Sequence, residues 1–417
     1  MRSPILSSLL SVSCMLSALT SVHAQAAKAP PFVDLFDGKT LAGFERKGGK
    51  AVYRVEDGCI VGNTVPRTPN SFLCTKRDYG DFVLDYEFKI DGTLNSGVQI
   101  RSHSIPSHRK GRVHGYQVEI DPDVKRNRMW TAGIYDEARR GWIFDLKNNE
   151  PARKAFKPDA WNKIRVAARG DSIKTWLNGV PAADLVDSMT LTGLIGLQVH
   201  GVGNRKEQLE VRWRNLRIQD LGRHVWSPLW DGKSMRGWTQ HGGGKWSIED
   251  GVLVARNEKS ERQHGHLFLD APQSDFTVRL KYKAIRGNSG LYFRSKQRKG
   301  AIGITGFQAE IDAAKDAGGL YETGGRAWVA KPKPKAVAKY FKPGAWNQMT
   351  VSAHGRRIVV HVNGTKTAEL PADKGRLAGK IALQLHGSQD VEVHFKDIEI
   401  LASASPGPSS KPKGPIR

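Results

Sequence analysis

Cysteine is scarce in this sequence: the 417 residues include three, at Cys14, Cys59 and Cys74. A small scaffold held together by several disulfides is therefore excluded. Cys59 and Cys74 flank a predicted hairpin, and neighbouring strands can bring two cysteines within bonding range. The sequence leaves open whether these two are bridged. Neither recurs at the matching place in the second half of the chain, so a catalytic thiol is not part of any shared chemistry.

Long apolar runs are also missing. After the N-terminal segment, no stretch approaches the ~20 apolar residues of a membrane-spanning helix, so we expect none. Residues 1–24 begin with Arg2, continue with apolar and small residues, and end in Val22-His23-Ala24, which is typical of a secretory signal and its cleavage site. A lipoprotein signal ending at Cys14 is the alternative, although Ser11-Val12-Ser13 lacks the usual leucine. We expect export to the periplasm or the extracellular space.

Sustained helical periodicity is absent, and many short segments alternate apolar and polar residues with period two. This alternation is typical of half-buried strands. Asn178-Gly179 and Asn363-Gly364 predict tight hairpin turns, because both residue types tolerate positive φ. The pattern predicts an all-β protein built from antiparallel sandwiches or jelly rolls.

The sequence consists of two diverged copies of one unit. Matching blocks follow in the same order in both halves: LFDGKTLAGF and LWDGKSMRGW, VEDGCIVG and IEDGVLVA, NSGVQIRS and NSGLYFRS, GYQVEID and GFQAEID, FKPDAWN and FKPGAWN, GLIGLQVHG and GKIALQLHG. A period this long indicates domain duplication. We predict domains at residues 33–221 and 227–402, joined by a linker at Gly222 to Pro228. The basic Pro/Ser/Lys-rich tail at 403–417 is predicted to be disordered.

The chain is strongly basic, with 65 Lys and Arg against 41 Asp and Glu and a formal net charge of +24. Such a balance permits electrostatic adhesion to a polyanion. However, the basic residues are spread over both copies, with local clusters at 125–128 and 331–335. No nucleic-acid-binding motif accompanies them, so we expect no specific nucleic-acid partner.

Alternation along three strands predicts one polar face in each copy. If those strands are neighbours, each copy presents a similar set of side chains: Gln99, Arg101, Gln117, Glu119, Asp121, Gln198 and His200 in the first, and Tyr292, Arg294, Gln308, Glu310, Asp312, Gln384 and His386 in the second. Antiparallel sheets often have one solvated face, which is the simpler interpretation. Against it, core positions differ between the copies while these polar types are mostly kept, which favours a shared site.

Metal binding is left open. His103 and His114 occur only in the first copy, beside a longer segment at 122–132. Their spacing matches no metal motif, so no cofactor is predicted, and a divalent metal stays an open possibility.

The ordered set of motifs resembles the 3-keto-disaccharide hydrolase domain, also known as domain of unknown function 1080. LFDGKTLAGF, YGDFVLDYEFKI, NSGVQIRS, GYQVEID, AGIYDEARRGW, KPDAWN, WLNG and GLQVHG carry the resemblance across both copies. It implies two tandem concanavalin A-like (laminin-G-like) jelly rolls, bacterial export, and action on glycosides oxidised at sugar carbon 3. One departure is that the family commonly has Glu before Gln in the central strand, whereas both copies here have Gln before Glu.

The chemistry implied by this resemblance is removal of a hydrogen from carbon 2, elimination of the glycosidic oxygen from carbon 1, and addition of water. We assign Glu119 or Glu310 as the base, Arg101 or Arg294 as the enolate stabiliser, and His200 or His386 as the proton donor. The remaining side chains are predicted to bind substrate: Gln117, Gln198, Gln308, Gln384, Asp121, Asp312, Tyr292, Asn95 and Asn288.

A non-catalytic carbohydrate-binding protein of the same fold is the alternative. Such a site usually presents exposed aromatic rings to sugar faces, and Tyr135, Trp142, Tyr292, Tyr321 and Trp328 are candidates. Convergence of Glu and Arg in a pocket favours an enzyme, whereas an open aromatic groove favours a binding protein.

Overall fold

The computed structural model describes residues 29–123 and 128–403. The predicted signal at 1–24 and residues 404–417 of the predicted tail lie outside the described residues. Ser403, the last described residue, pairs with His224 in a β-ladder.

The first copy contains strands β1 to β15. In chain order they span Val33–Asp34, Phe44–Gly48, Val52–Glu56, Cys59–Asn63, Ser71–Thr75, Asp81–Ile90, Ser96–His103, His114–Ile120, Ile134–Glu137, Gly141–Phe144, Asn162–Arg169, Ser172–Leu177, Val180–Val186, Leu194–Val199 and Glu210–Gly222. A 3₁₀ turn at Arg109–Gly111 and helix α1 at Glu150–Lys154 lie between them. The strands form two antiparallel sheets, ordered β13-β12-β11-β6-β15-β4-β3, with β1 beside β15, and β10-β9-β8-β7-β14-β5-β2.

The second copy repeats this arrangement with strands β16 to β30. They span His224–Pro228, Trp238–Gly242, Lys245–Glu249, Val252–Asn257, Gly265–Leu269, Phe276–Arg286, Asn288–Gln297, Ile304–Asp312, Leu320–Thr323, Ala327–Ala330, Asn347–His354, Arg357–Val362, Thr365–Leu370, Lys380–Leu385 and Val391–Ser403. Helix α2 spans Pro334–Tyr340. The sheets are ordered β18-β19-β30-β21-β26-β27-β28, with β16 beside β30, and β17-β20-β29-β22-β23-β24-β25.

Strand β8 illustrates how the period-two pattern builds each sandwich. Tyr116, Val118 and Ile120 are fully buried between the two sheets. Burial of an apolar side chain of this size contributes roughly 1.5–3 kcal/mol. Gln117 and Glu119 must then lie on the other face of the same sheet, because successive side chains alternate. The all-β prediction of two tandem jelly rolls is confirmed.

The two predicted Asn-Gly turns are present. Asn178 and Gly179 have φ of 51° and 85°, and Asn363 and Gly364 have φ of 49° and 76°. Positive φ at both central residues matches the right-handed twist of the flanking strands. Arg223 alone separates β15, which ends at Gly222, from β16, which begins at His224 as an edge strand of the second copy.

Cys59 and Cys74 are free thiols, and both are buried. Cys59 lies in β4 and Cys74 in β5, which belong to opposite sheets of the sandwich. The sheets therefore separate the two sulfurs.

Within residues 29–123 and 128–403, no helix combines the length and apolar character needed to cross a bilayer.

Candidate functional site

The first copy has a cavity of about 1060 Å³ over the polar face of the sheet that contains β8. This volume slightly exceeds the ~300–1,000 Å³ typical of small-molecule sites. Its lining includes predicted site residues from β8 and β14 and their ends and from the turn before β7, but not Gln99 or Arg101 of β7. The predicted residues in the lining are Asn95, Gln117, Glu119, Asp121, Gln198 and His200, and the others include Asn70, Arg112, Arg128, Tyr135, Glu137, Trp142 and Arg205.

Two loops that are longer in the first copy contribute to this cavity. The backbone bond from Glu119 to Gly133 corresponds to the bond from Glu310 to Gly319. The sequence between Glu119 and Gly133 is therefore five residues longer than that between Glu310 and Gly319, and Arg128 from this stretch lines the cavity. Residues 201–209 likewise replace 387–391 and contribute Arg205. The polar face is common to both copies, but these walls belong to the first.

Glu119 is one of three buried acidic residues in the cavity lining, with Asp121 and Glu137, and 3% of its surface is exposed. Burial raises the pKa of this carboxyl to about 8, although hydrogen bonds from Gln117 and Asn95 oppose the rise. Gln117 Nε2 donates to Oε1 at 2.5 Å, and Asn95 Nδ2 donates to Oε2 at 3.2 Å. Both oxygens accept, so the two amides favour the carboxylate form and limit the rise in pKa. A carboxyl with a pKa near neutrality is suited to proton transfer.

A row of amides lies beside Glu119. Gln99 Nε2 donates to Gln117 Oε1 at 2.5 Å, and Gln117 Nε2 also approaches Gln198 Oε1 at 3.3 Å. Gln198 Nε2 is buried and has no hydrogen-bond partner among the described residues. A buried donor without a partner costs free energy, and this nitrogen has almost no surface open to the cavity, so a ligand oxygen would reach it only after the Gln198 side chain moves.

Asp121 and Asp312 do not have equivalent surroundings. Arg128 holds Asp121 through two bonds, from Nε at 2.8 Å and from Nη2 at 3.1 Å. Asp312 Oδ1 instead accepts the backbone N–H groups of Ala314 and Lys315 in a turn. Asp121 lies in the cavity wall, whereas Asp312 shapes a loop.

His200 lies at the end of β14 and lines the cavity. Its Nδ1 is 2.8 Å from the carbonyl oxygen of Gly201. Since a carbonyl only accepts, Nδ1 bears the hydrogen and the neutral ring has Nε2 unprotonated. The ring can donate a proton from Nε2 only when it is an imidazolium.

Two aromatic rings form part of the wall. Tyr135 and Trp142 line the cavity and meet edge-to-face at 5.5 Å between centroids. Trp130 packs edge-on against Trp142 at 4.8 Å. Partly exposed rings of this kind can lie against the apolar face of a sugar. Tyr292 was also a stacking candidate, but it is buried and its hydroxyl bonds with Thr323 Oγ1 at 2.7 Å.

The predicted placement of Arg101 and Arg294 on the polar face is wrong. Arg101 is fully buried, and its guanidinium donates to Gly80 O, Gly170 O and Asp81 at 2.6–3.0 Å. Arg294 similarly binds Ser274 O and Asp275. Both arginines have φ of 46° and lie at a register shift in their strands. Such a bulge breaks the period-two alternation and turns the side chain away from the cavity.

The polar face of the second copy keeps part of the first-copy arrangement. Burial raises the pKa of Glu310 to about 8. The carboxyl accepts from Asn288 and, at 3.0 Å, from Gln308 Nε2. Gln308 Nε2 also lies 3.1 Å from Gln384 Oε1, which corresponds to the contact of Gln117 with Gln198 in the first copy.

Histidines cover the rest of this face in the second copy. His264 occupies the place that Asn70 has in the first copy. Its Nδ1 lies 3.1 Å from Gln384 Nε2, and its ring packs on the His386 ring at 4.2 Å between centroids. The side chains equivalent to Gln198 and His200 are thus engaged with a neighbouring ring. His386 Nδ1 also lies 2.6 Å from the carbonyl oxygen of Gly387, as in the first copy.

His103, His108 and His114 form a small cluster in the first copy. The rings of His108 and His114 are 3.9 Å apart, and His103 lies 6.1 Å from His114. In the described part of the chain, however, no group of three or more His, Cys, Asp or Glu is arranged to hold a metal ion.

Sequence reasoning missed the ion pair between Arg112 and Glu137, whose Nη2–Oε1 distance is 2.6 Å, and the cavity-lining Arg205. These three residues are not retained in the second copy, so comparison of the copies gave no signal for them. For Arg205 the extra length of its loop was the available signal, whereas Arg112 and Glu137 lie outside the two longer loops.

The fold and site together define a tandem jelly-roll protein with a polar, acid-containing cavity in its first copy. The family model described as a 3-keto-alpha-glucoside-1,2-lyase-like domain matches residues 31–219 and 225–401. The chain belongs to this family and contains two copies of its domain.

Three solved structures are similar to one copy each. A Parabacteroides distasonis protein of proposed glycosyl hydrolase function is 19% identical, covering 46% of this chain and 94% of its own, with a TM-score of 0.33. The carbohydrate-binding module CBM66 from Bacillus subtilis is 20% identical, with 40% and 96% covered and a TM-score of 0.32. A Bacillus subtilis protein of unknown function with a galectin-like fold is 16% identical, with 42% and 94% covered and a TM-score of 0.34. No curated protein sequence matches this chain.

Proposed function

We propose that the first-copy cavity binds a glycoside oxidised at sugar carbon 3 and cleaves it by elimination, with Glu119 as the base. The observation that carries this proposal is a buried carboxyl, bound at both oxygens by amide donors, in the floor of a cavity large enough for a sugar. Membership of a lyase-like glucoside family agrees with the same chemistry.

The proposed reaction starts with proton removal. The ketone acidifies the hydrogen on carbon 2, and the Glu119 carboxylate takes this proton. The electron pair forms an enolate, which then re-forms the ketone, creates a carbon 1–carbon 2 double bond and breaks the bond from carbon 1 to the glycosidic oxygen. Water then adds its hydroxyl to carbon 1 and its hydrogen to carbon 2. The net result is hydrolysis of the glycosidic bond.

Negative charge on the carbon 3 oxygen needs a donor. Arg101 cannot supply it, because its guanidinium is bound to Asp81 and two carbonyls on the other side of the sheet. Gln198 Nε2, the buried amide without a partner, takes this role in the proposal once its side chain has moved towards the ligand. A donor facing a developing oxyanion contributes substantially to catalysis. An imidazolium at His200 would protonate a poor leaving group.

We place activity in the first copy and not in the second. Gln384 Nε2 and the His386 ring are occupied by His264, and Asp312 caps a turn. Glu310 would then be a structural relic of the duplication, although its environment resembles that of Glu119.

The test uses 4-nitrophenyl 3-keto-α-glucoside and the full-length protein. We expect release of 4-nitrophenolate by the wild type, a loss of ~10²–10⁴-fold in Glu119→Gln, and near-normal turnover in Glu310→Gln. The parent 4-nitrophenyl α-glucoside, which lacks the ketone, should not react. Full turnover by Glu119→Gln would contradict the assignment.

A non-catalytic saccharide-binding role is the second candidate, favoured by the aromatic wall of Tyr135 and Trp142. Calorimetric binding of the 3-keto-glucoside or its parent without turnover, abolished in Trp142→Ala, would establish it in place of catalysis.

Export is proposed on the basis of residues 1–24 alone. Expression in a secreting bacterial host, followed by N-terminal sequencing, should give Gln25 as the first residue. An uncleaved cytoplasmic protein would contradict export.

A further inference from the structure

The two copies touch each other through polar contacts. Arg357 Nη1 of the second copy binds Asp184 Oδ1 at 2.7 Å, and Thr277 Oγ1 binds Asp171 Oδ2, also at 2.7 Å. A third contact runs from Arg140 Nη1 in the first copy to the carbonyl oxygen of Gly364 in the second, at 2.9 Å. Among these three, the Arg140 contact involves the hairpin that forms a wall of the proposed site.

This hairpin consists of β9 and β10 and has two functionally different faces. Tyr135 and Trp142 are cross-strand neighbours that line the cavity. Asp136, the next residue along β9, points to the opposite face because side chains alternate. It is fully buried. A side chain that binds Asp136 therefore also stabilises the hairpin that presents Tyr135 and Trp142 to the cavity.

Arg140 holds Asp136 and reaches the second copy at the same time. Its Nε donates to Asp136 Oδ2 at 2.5 Å, and its Nη1 donates to Asp187 Oδ2 at 2.7 Å as well as to Gly364 O. A guanidinium is planar and presents five donors in fixed directions, so one side chain can bridge three acceptors. Gly364 belongs to the tight Asn363-Gly364 turn, which presents its carbonyl on a stiff hairpin.

The second copy has a related intradomain network without the bridge. In the first copy Arg139 Nε also donates to Asp136 Oδ1 at 2.6 Å, and Gly325 occupies the place of Arg139 in the second. Arg326 binds Glu322, and it binds both oxygens of Asp373 at 2.9 and 3.0 Å, all within its own copy. The Arg326 side chain is 48% exposed, against 21% for Arg140. Each copy thus has its own arginine–carboxylate network, and contact with the other copy buries Arg140 in the first network but not Arg326 in the second.

We propose that the second copy positions the cavity wall of the first. Its Asn363-Gly364 turn fixes Arg140, Arg140 fixes Asp136, and Asp136 fixes the strand that presents Tyr135 to the ligand. Arg140 is a positioning residue and does not touch the ligand. The activity readout of this inference depends on the proposed function, whereas its structural readout does not.

The test perturbs the turn from the second copy in the full-length protein. In Gly364→Ala the added Cβ would lie 2.5 Å from Met189 Cε, the flexible end of a side chain that can shift, so the change strains the turn mainly through its φ of +76°. Gly179→Ala is the matched control, because it makes the same change in the equivalent first-copy turn, at φ +85°, where the Cβ meets nothing within 4 Å. Arg140→Lys, which keeps the charge but cannot bridge three acceptors, is paired with Arg326→Lys.

Amide hydrogen exchange of residues 134–144 should accelerate about 10-fold in Gly364→Ala and Arg140→Lys, because their local opening becomes easier. KM for 4-nitrophenyl 3-keto-α-glucoside should rise about 10-fold with kcat little changed, since the wall binds substrate while Glu119 is unaltered. Both controls should match the wild type in both measurements.

Unchanged exchange in Gly364→Ala and Arg140→Lys would overturn the inference, as would an equal effect in Gly179→Ala. Accelerated exchange with no turnover by any form, the wild type included, would support the positioning contact while rejecting the proposed function. Faster exchange with an unchanged KM would overturn the link from wall to ligand.

Discussion

Replacing Glu119 with glutamine should make the stability of the first domain less sensitive to pH. Burial raises the pKa of Glu119 from its ordinary 4.5 to about 8. At ~1.4 kcal/mol per pKa unit, ionising this carboxyl in the folded protein costs about 5 kcal/mol. A raised folded-state pKa means that stability is fully present below about pH 4.5 and is lost as the pH rises towards 8. The glutamine side chain carries no such dependence.

Urea unfolding at pH 5.5 and pH 8.5 measures this difference. Relative to Glu119→Gln, the wild-type first domain should lose about 3 kcal/mol between the two pH values, because the pKa of about 8 lies 2.5 units above the lower pH. Any cost of replacing one acceptor oxygen with an amide is the same at both pH values and cancels. The prediction therefore concerns the change in the free energy of unfolding with pH and not its absolute value.

The two domains can unfold separately, so hydrogen exchange during unfolding should be resolved by peptide. Strand β8 reports the first domain and β23 the second. Glu310→Gln is the matched control, because burial raises the pKa of Glu310 to about 8 as well. It should change the pH dependence of the second domain alone. If wild type and Glu119→Gln differ by the same free energy at both pH values, Glu119 is ionised throughout and the reasoning fails.

Three further results are expected. First, kcat/KM for 4-nitrophenyl 3-keto-α-glucoside should rise with pH and level off above about 8, because the base form of Glu119 is needed and nitrophenolate leaves without a proton; a rate that falls through pH 8 would make Glu119 an acid instead. Second, Arg101→Met should destabilise the first domain by ~3–5 kcal/mol in denaturant unfolding, since the buried Asp81 carboxylate loses its hydrogen bond from the guanidinium. A variant that is as stable as the wild type but has a much lower kcat would indicate that Arg101 is catalytic after all. Third, Trp142→Ala should raise KM by about 10-fold through lost stacking, with Trp328→Ala as the inert control; equal KM changes in both would place binding in both copies.

The fold was predictable because its information is local and repeated. Period-two alternation in segments such as Phe82 to Ile90 and the two Asn-Gly turns each fix a strand or a reversal without long-range knowledge. The duplication supplied a second reading of the same pattern. Placement of Gln117 and Glu119 on the polar face followed from alternation alone and is confirmed by the cavity lining.

The arginines could not be placed in the same way. A bulge at Arg101 adds one residue to the alternation, and no residue type nearby announces it. Retention of Arg101 and Arg294 in both copies indicated importance, and a structural ion pair explains it as well as a catalytic role does. Asp81 and Asp275, which are also retained in both copies and bind these arginines, were the available clue.

The cavity itself depends on features that differ between the copies. Arg128 and Arg205 lie in loops that are longer in the first copy, so comparing the copies could reveal the extra length but not the destination of the side chains. Contacts between the copies, such as that of Arg140 with Gly364, involve residues 224 positions apart and leave no local pattern.

Exchange of the hydrogen on carbon 2 tests the central claim most directly, because it isolates the step assigned to Glu119. Methyl 3-keto-α-glucoside in D₂O, followed by proton NMR, has a poor leaving group and so reports deprotonation apart from cleavage. We predict enzyme-dependent loss of the carbon 2 proton signal with wild type and Glu310→Gln, and only the background rate with Glu119→Gln. Exchange that is equally fast with Glu119→Gln, or absent with the wild type at substrate saturation, would contradict the account.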